Sequence, residues 1–264
     1  MARRLDAFVT KTVTPEPREG NAPVRIAETE HGMLNAIGLA NPGRDRFLAE
    51  TLPLLRTLGR PLWVSVGGVS ARDYAETCAL LDDVTIELNL SCPNVDEAPE
   101  SAAEIVAACR AATSLPLYAK LSPATWDIAG TARAVEAAGA DGLSLVNTIR
   151  GLALGPTLRP TLARAVGGYS GPALRPVALA AVYACRRATQ LPIVGMGGVQ
   201  TGHDALELLA CGATHVALGT VLFADPDAPA RVRTELADEL ERAGFATPDD
   251  AVGVAQAAVA TVEN

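Results

Sequence analysis

Short, almost continuously apolar runs alternate with stretches of helical periodicity along most of this chain. Runs such as LWVSV and GLSLV are typical of parallel strands that are covered on both faces. Seven strands are predicted, at residues 7–12, 62–66, 84–89, 117–121, 142–147, 193–196 and 216–219. Regular alternation of strand and helix predicts a parallel sheet, either closed as a barrel or open and doubly wound. No G-x-G-x-x-G follows an early strand, which disfavours the open, dinucleotide-binding sheet. The predicted fold class is therefore α/β, a TIM (β/α)8-type barrel of which seven strands are readable.

The predicted helices carry start and stop signals. Residues 70–73 (SARD) and 201–204 (TGHD) have the serine or threonine and the acidic residue of a capping box. Gly139 and Gly212 each end a helix just before a strand, at a position where the backbone often needs a positive φ.

The chain is predicted to be a single domain over residues 1–264, because no break in composition divides it. Two segments, 14–41 and 150–171, interrupt the alternation and are far longer than the usual βα loop of about 2–6 residues. Because such excess is usually functional, we expect 14–41 to be an inserted substrate-site segment. Residues 227–264 are predicted to form a C-terminal helical region.

Polar side chains and glycines gather where the predicted strands end. The polar residues are Lys11, Asn89, Lys120, Asn147 and Thr148. In a barrel, the carboxyl ends of the strands surround the ligand. The glycine segments 195–198 (GMGG) and 219–220 (GT) precede helices, and backbone N–H groups in such turns bind phosphate. The pattern predicts a phosphate-bearing ligand with several other hydrogen-bonding groups.

Composition narrows the class of protein. Of the 264 residues, 49% are hydrophobic, which is too many for a disordered chain. The formal charge of −8 argues against nucleic acid or an anionic membrane as the partner. No apolar run reaches the ~18 residues that a membrane span needs, so we expect a cytoplasmic protein with no membrane partner.

The five cysteines are scattered and odd in number, so no disulfide framework and no metal site is predicted. Four of them lie in helical patterns rich in alanine and leucine, where small-hydrophobe packing is expected. Cys92 differs, because it lies in a Ser-Cys-Pro-Asn loop and is the candidate for reactive chemistry. No histidine stands near Cys92 in the sequence, which leaves a Cys–His hydrolase without support.

Eight ordered motifs resemble class 1 dihydroorotate dehydrogenases, and most closely the class 1B catalytic subunit. They are VTKTVTPEPREGN, GMLNAIGLANPG, ELNLSCPN, LYAKLSP, LVNTIRG, GGYSGPALRPVAL, PIVGMGGVQTG and VALGTVLFADP. The resemblance implies a barrel that carries FMN and oxidises dihydroorotate to orotate in pyrimidine biosynthesis. It also implies one more barrel strand ahead of the first strand predicted here, which accounts for the count of seven.

The resemblance also implies roles for individual residues. Cys92 would be the base that removes a proton from C5 of the substrate, with Lys11 reaching both substrate and flavin. The implied substrate contacts are Lys11, Asn35, Ala36, Ile37, Gly38, Leu39, Asn89, Asn94, Asn147 and Thr148. The implied FMN contacts are Lys11, Thr12, Ser65, Asn89, Lys120, Val146, Gly171, Gly197, Gly198, Gly219 and Thr220.

The same resemblance implies how the electrons leave. In the class 1B manner, a separate subunit with FAD and a [2Fe–2S] cluster accepts them, in a homodimer or heterotetramer. In the class 1A manner, a small acceptor such as fumarate does. Two alternatives stay open at this point: a flavin barrel acting on another dihydropyrimidine, and a truncated, non-catalytic barrel that binds a phosphate ligand or a partner.

Overall fold

The computed structural model describes residues 5–90 and 101–259. Its strands are β1 (Phe8–Val9), β2 (Ile26–Thr29), β3 (Gly32–Asn35), β4 (Leu62–Val66), β5 (Thr85–Asn89), β6 (Leu117–Leu121), β7 (Gly142–Leu145), β8 (Ile149–Leu152), β9 (Val166–Ser170), β10 (Ile193–Met196) and β11 (His215–Ala217). Its α-helices are α1 (Arg44–Arg46), α2 (Leu52–Arg56), α3 (Ala71–Cys78), α4 (Ala102–Ala112), α5 (Ile128–Ala137), α6 (Arg175–Ala188), α7 (Gly202–Cys211), α8 (Val221–Ala224), α9 (Ala228–Ala243), α10 (Pro248–Ala251) and α11 (Val254–Val259). A π-helical turn (Phe47–Thr51) and a 3-10 turn (Pro172–Leu174) complete the set.

One parallel sheet contains all seven predicted strands, in the order β1-β4-β5-β6-β7-β10-β11. The strands 62–66, 117–121 and 193–196 have the predicted bounds, whereas the strand predicted at 7–12 shortens to Phe8–Val9. Helices α3, α4, α5 and α7 each connect two successive strands of this sheet. The predicted β–α order is therefore confirmed, and within the described ranges no ladder joins the outer strands β1 and β11.

The two faces of this sheet differ in chemistry. On β5, Ile86 and Leu88 belong to the main apolar cluster together with Val106 of α4 and Val135 of α5. Because side chains alternate along a strand, Glu87 points to the opposite face. Helices cover the outside of a barrel, so this opposite face lines its interior.

The helix ends follow the predicted signals. Ser70 and Thr201 both accept a hydrogen bond from the backbone three residues on, and both capping boxes are complete. Gly139 and Gly212 have φ of +102° and +115°, as predicted for residues that end a helix. A further capping box, at Ser101, starts α4.

The two long insertions pair with each other, which the sequence pattern did not predict. They form a four-stranded antiparallel sheet in the order β2-β3-β9-β8. Its central contact joins β3 to β9, with Leu34 opposite Tyr169. Leu34, Ala36 and Leu162 form a small apolar core under this sheet. Segments 14–41 and 150–171 are thus largely one structural unit, which we call the antiparallel extension.

Candidate active site

A cavity of about 730 Å³ opens at the carboxyl ends of the barrel strands. The barrel supplies most of its walls, and the antiparallel extension contributes residues 28–33, Ser170 and Gly171. Nine of the predicted site residues line it: Lys120, Val146, Asn147, Thr148, Gly171, Gly197, Gly198, Gly219 and Thr220. Most of the predicted FMN contacts and two of the predicted substrate contacts therefore share one space.

Beside the cavity, four side chains and one backbone N–H form a hydrogen-bonded chain whose members lie on or just after β1, β4, β5 and β7. The Oγ atoms of Thr12 and Ser65 lie 3.0 Å apart. The Asn89 amide donates to Thr12 Oγ1 at 3.1 Å and accepts from Asn147 Nδ2 at 3.0 Å. Asn147 Oδ1 accepts from the Thr148 backbone N–H at 2.8 Å. This chain fixes both asparagine amides, because each is held at its oxygen and at its nitrogen.

At the inner end of the cavity lies an ion pair that sequence reasoning missed. Lys120 Nζ on β6 is 3.2 Å from Glu87 Oε1 on β5. The Glu87 side chain is only 2% exposed, whereas that of Lys120 is 22% exposed. Both residues line the cavity. The signal was present in the sequence, because Glu87 is the one charged residue in the strand TIELN and lies between the apolar Ile86 and Leu88.

Part of the cavity wall is built of glycine backbone. Gly171, Gly197 and Gly198 have φ of +102°, +125° and +79°, which explains glycine at these positions. Within the described residues, no hydrogen bond takes up the backbone N–H of Gly197, Gly198, Gly219 or Thr220. Unpaired backbone donors that face a cavity can bind an anionic oxygen. The Thr220 hydroxyl donates to Ser170 Oγ at 2.8 Å.

The glycine wall is supported from behind by an ion-pair cluster. Arg175, the first residue of α6, pairs with Asp204 and, at 3.3 Å, with Glu207. Asp204 also accepts hydrogen bonds from the backbone N–H groups of Gln200 and Thr201. The capping acid predicted from sequence thus also anchors the loop that follows β10.

The other predicted contacts lie elsewhere. The structure puts Asn35, Ala36, Ile37, Gly38 and Leu39 in the antiparallel extension and not on the walls of this cavity. The Asn35 amide donates to the Gly168 carbonyl at 3.3 Å, and Gly38 has φ +74°. Lys11 is exposed and follows β1. Cys92 and Asn94 lie outside the described residues.

Three of the four described cysteines have a thiol pKa above its ordinary value. A hydrogen bond with Cys109, and then burial, raise the pKa of Cys78. Burial raises the pKa of Cys185 to about 12 and also raises that of Cys211. Cys78, Cys109 and Cys185 are buried, as expected for packing residues.

Within residues 5–90 and 101–259, no three His, Cys, Asp or Glu side chains are grouped so as to hold a metal ion. None of the helices in this part of the chain is both long and apolar enough to cross a membrane.

The family model for dihydroorotate dehydrogenase matches residues 2–240. The chain belongs to the dihydroorotate dehydrogenase family. The fold of this family is the (β/α)8 barrel, and its members are flavin-dependent oxidoreductases. The predicted fold class and enzyme class are therefore confirmed.

Relatives within the dihydroorotate dehydrogenase family carry the name "Dihydroorotate dehydrogenase B (NAD(+)), catalytic subunit". That of Listeria welshimeri is 44% identical over 256 residues, covering 92% of this chain and 84% of the relative. That of Latilactobacillus sakei is 47% identical over 252 residues, with coverages of 90% and 82%. That of Pelobacter propionicus is 43% identical over 262 residues, with coverages of 95% and 86%. The predicted resemblance to the class 1B catalytic subunit is thus confirmed.

Proposed function

We propose that this chain is the catalytic subunit of a dihydroorotate dehydrogenase and oxidises dihydroorotate to orotate in pyrimidine biosynthesis. The observation that carries the proposal is the cavity at the barrel mouth, whose lining includes both a lysine and several backbone amides with no hydrogen-bond acceptor among the described residues. A cation and a set of unpaired amides in one cavity suit a ligand that combines an electron-accepting ring with a phosphate.

The residues present fit FMN. Its phosphate would be held by the backbone N–H groups of Gly197, Gly198, Gly219 and Thr220. Lys120 would lie beside the ring, and Gly171 would allow the close approach of backbone to ligand. When bound, FMN supplies the acceptor for a hydride from C6 of the substrate.

The asparagines Asn89 and Asn147 would orient the substrate ring. A planar, amide-rich pyrimidine needs partners that both donate and accept, and an asparagine amide does both. Because the chain through Thr12, Asn89 and Asn147 fixes these amides beforehand, little side-chain freedom is lost when the substrate binds.

Proton removal would fall to Cys92. A thiolate Sγ is a competent base when a polar site lets it ionise, and the proposal has it take the proton from C5 of dihydroorotate. Lys11 would hold the substrate beside it. The four other thiols are poor candidates, since the structure surrounds three of them with apolar core.

We also propose that the chain acts together with an electron-transfer subunit. The name of the relatives contains both NAD(+) and "catalytic subunit", which supports a second subunit that passes electrons onward. We propose that this subunit carries FAD and a [2Fe–2S] cluster, and that fumarate is a poor direct acceptor.

The test begins with the purified chain and added FMN. Dihydroorotate, dihydrouracil and dihydrothymine are then added anaerobically to separate samples, and bleaching of the visible flavin band is followed. We expect retained yellow colour and bleaching by dihydroorotate alone. Protein that stays colourless with FMN, or that another dihydropyrimidine bleaches faster, would overturn the proposal. One sample of the reduced protein then receives fumarate, and another receives NAD(+) together with an added electron-transfer subunit. Reoxidation of the flavin by fumarate without the subunit would contradict the proposed partner.

A further inference from the structure

Glu87 is a buried carboxylate that the proposed chemistry does not use. It lies in the middle of β5, and its side chain is 2% exposed. Removing an ion from water is strongly unfavourable unless a counter-charge replaces the lost hydration. In the described part of the chain, the counter-charge is the ammonium group of Lys120, 3.2 Å away.

The strand register makes this contact a diagonal one. Opposite Glu87 on β6 stands Tyr118, and Lys120 stands opposite Asn89, two residues nearer the mouth of the barrel. Lys120 therefore reaches back toward the barrel interior to meet Glu87. A lysine at this position without such a partner would extend toward the open cavity and its solvent.

We propose that Glu87 is a positioning residue for Lys120, restraining the lysine ammonium at the inner end of the cavity and limiting its pull on a bound anionic group. The inference rests on the proposed function for the identity of that group, the flavin ring. Negative charge develops on a flavin ring when it is reduced, and a fixed cation nearby stabilises it. The strength of that effect depends on how firmly the carboxylate holds the cation.

Glu87→Gln is the sharpest perturbation, because it keeps the shape of the side chain and removes its charge. A hydrogen bond to an ionised acceptor is about twice as strong as one to a neutral acceptor, so the ammonium is released toward the cavity. Ser144→Ala is the matched control. Ser144 is fully buried on β7 opposite Lys120, and its Oγ has no partner among the described residues.

The experiment measures sulfite binding and the two-electron reduction potential of the FMN-loaded protein. We expect Glu87→Gln to bind sulfite roughly tenfold more tightly and to raise the potential by about 30 mV, the equivalent of that factor. Ser144→Ala should match the wild type. In a Lys120→Gln background, adding Glu87→Gln should change neither quantity. An unchanged Glu87→Gln protein, or an effect of full size without Lys120, would overturn the inference.

A second measurement needs no flavin and covers the case of a variant that binds none. Urea unfolding of the apoprotein is compared for Glu87→Gln, Lys120→Gln and the double variant. Because Lys120→Gln leaves the buried Glu87 carboxylate unpaired, and Glu87→Gln then removes that carboxylate, the double variant should recover a large part of the summed loss in midpoint. Strictly additive losses in unfolding midpoint would contradict the inference. A wild-type protein that stays colourless with FMN would contradict only the proposed function.

Discussion

Two glycines on the cavity wall, Gly198 and Gly219, should respond in opposite ways to the same substitution by alanine. Gly198 has φ +79°, and an added Cβ would lie 2.8 Å from the backbone nitrogen of Arg175. Gly219 has no such φ, and an added Cβ would meet no atom within 4 Å. Both residues line the cavity. One position is therefore constrained by the fold and the other is open.

The magnitudes follow from these contacts. A left-handed backbone costs a residue with a Cβ about 1–2 kcal/mol, and forcing an atom into a packed contact costs about 1–3 kcal/mol more. Gly198→Ala should therefore lower the free energy of unfolding of the apoprotein by about 2–5 kcal/mol. Gly219→Ala should leave it unchanged or raise it by up to about 1 kcal/mol, because alanine restricts the unfolded chain. Its methyl group should instead narrow the cavity and weaken FMN binding at least tenfold.

Urea unfolding of both apoproteins, followed by fluorescence titration with FMN, separates the two effects. The pair is informative because each variant is the control for the other. A Gly198→Ala protein as stable as the wild type would refute the strain argument. A Gly219→Ala protein with wild-type FMN affinity would show that the phosphate does not lie against this wall.

Three further predictions concern the hydrogen-bonded chain through Asn89, the proposed base Cys92 and the ion pair of Glu235. Asn89→Leu should lower the free energy of unfolding by about 1–3 kcal/mol in a urea titration, because it removes the two hydrogen bonds that join Asn89 to Thr12 and to Asn147, whereas unchanged stability would contradict the network. In the wild type, kcat should rise toward alkaline pH as the proposed base, a thiol, ionises, and Cys92→Ser should shift this limb upward or abolish it; an unchanged profile removes Cys92 from the role. A hydrogen bond from Arg231 holds the pKa of Glu235 below its usual range in the folded protein. The stabilisation that this interaction contributes is therefore fully present above the unfolded-state pKa of Glu235 and is lost as the pH falls through its folded-state pKa. Glu235→Gln should therefore cost less than about 1 kcal/mol at neutral pH and nothing in acid, as thermal unfolding at several pH values would measure.

The barrel strands were predictable because they are covered on both faces, which leaves almost continuous apolar runs in the sequence. The caps were predictable because the hydrogen bonds of a capping box are local, as at Thr201 and Asp204. The antiparallel extension was not, because its central pairing joins residues far apart in sequence, such as Met33 and Ser170. No local pattern specifies such a register, and only the folded barrel brings the two segments together.

The candidate site could likewise be predicted from the sequence only in part. The glycines of the cavity wall and the lysine near the end of β6 stand out in the sequence because they interrupt an apolar pattern. The sequence did not reveal that Asn89, Asn147 and Thr12 bond to one another, because the contacts depend on three separate strands. Nor did it distinguish Lys120, on the cavity wall, from Lys11, which is exposed beside β1.

Strand β5 illustrates how one short sequence serves both stability and chemistry. Ile86 and Leu88 are fully buried against the surrounding helices, and the intervening Glu87 and the following Asn89 belong to the inner face. Because the two sets alternate, a change at Leu88 should act through core packing, and one at Glu87 through the charge at the cavity. The same alternation holds on β6, where Leu117, Ala119 and Leu121 are buried and Lys120 reaches the cavity. The candidate site is therefore the open end of the polar inner face of the sheet. Its charge depends on Glu87, which lies two residues before Asn89 at the end of β5.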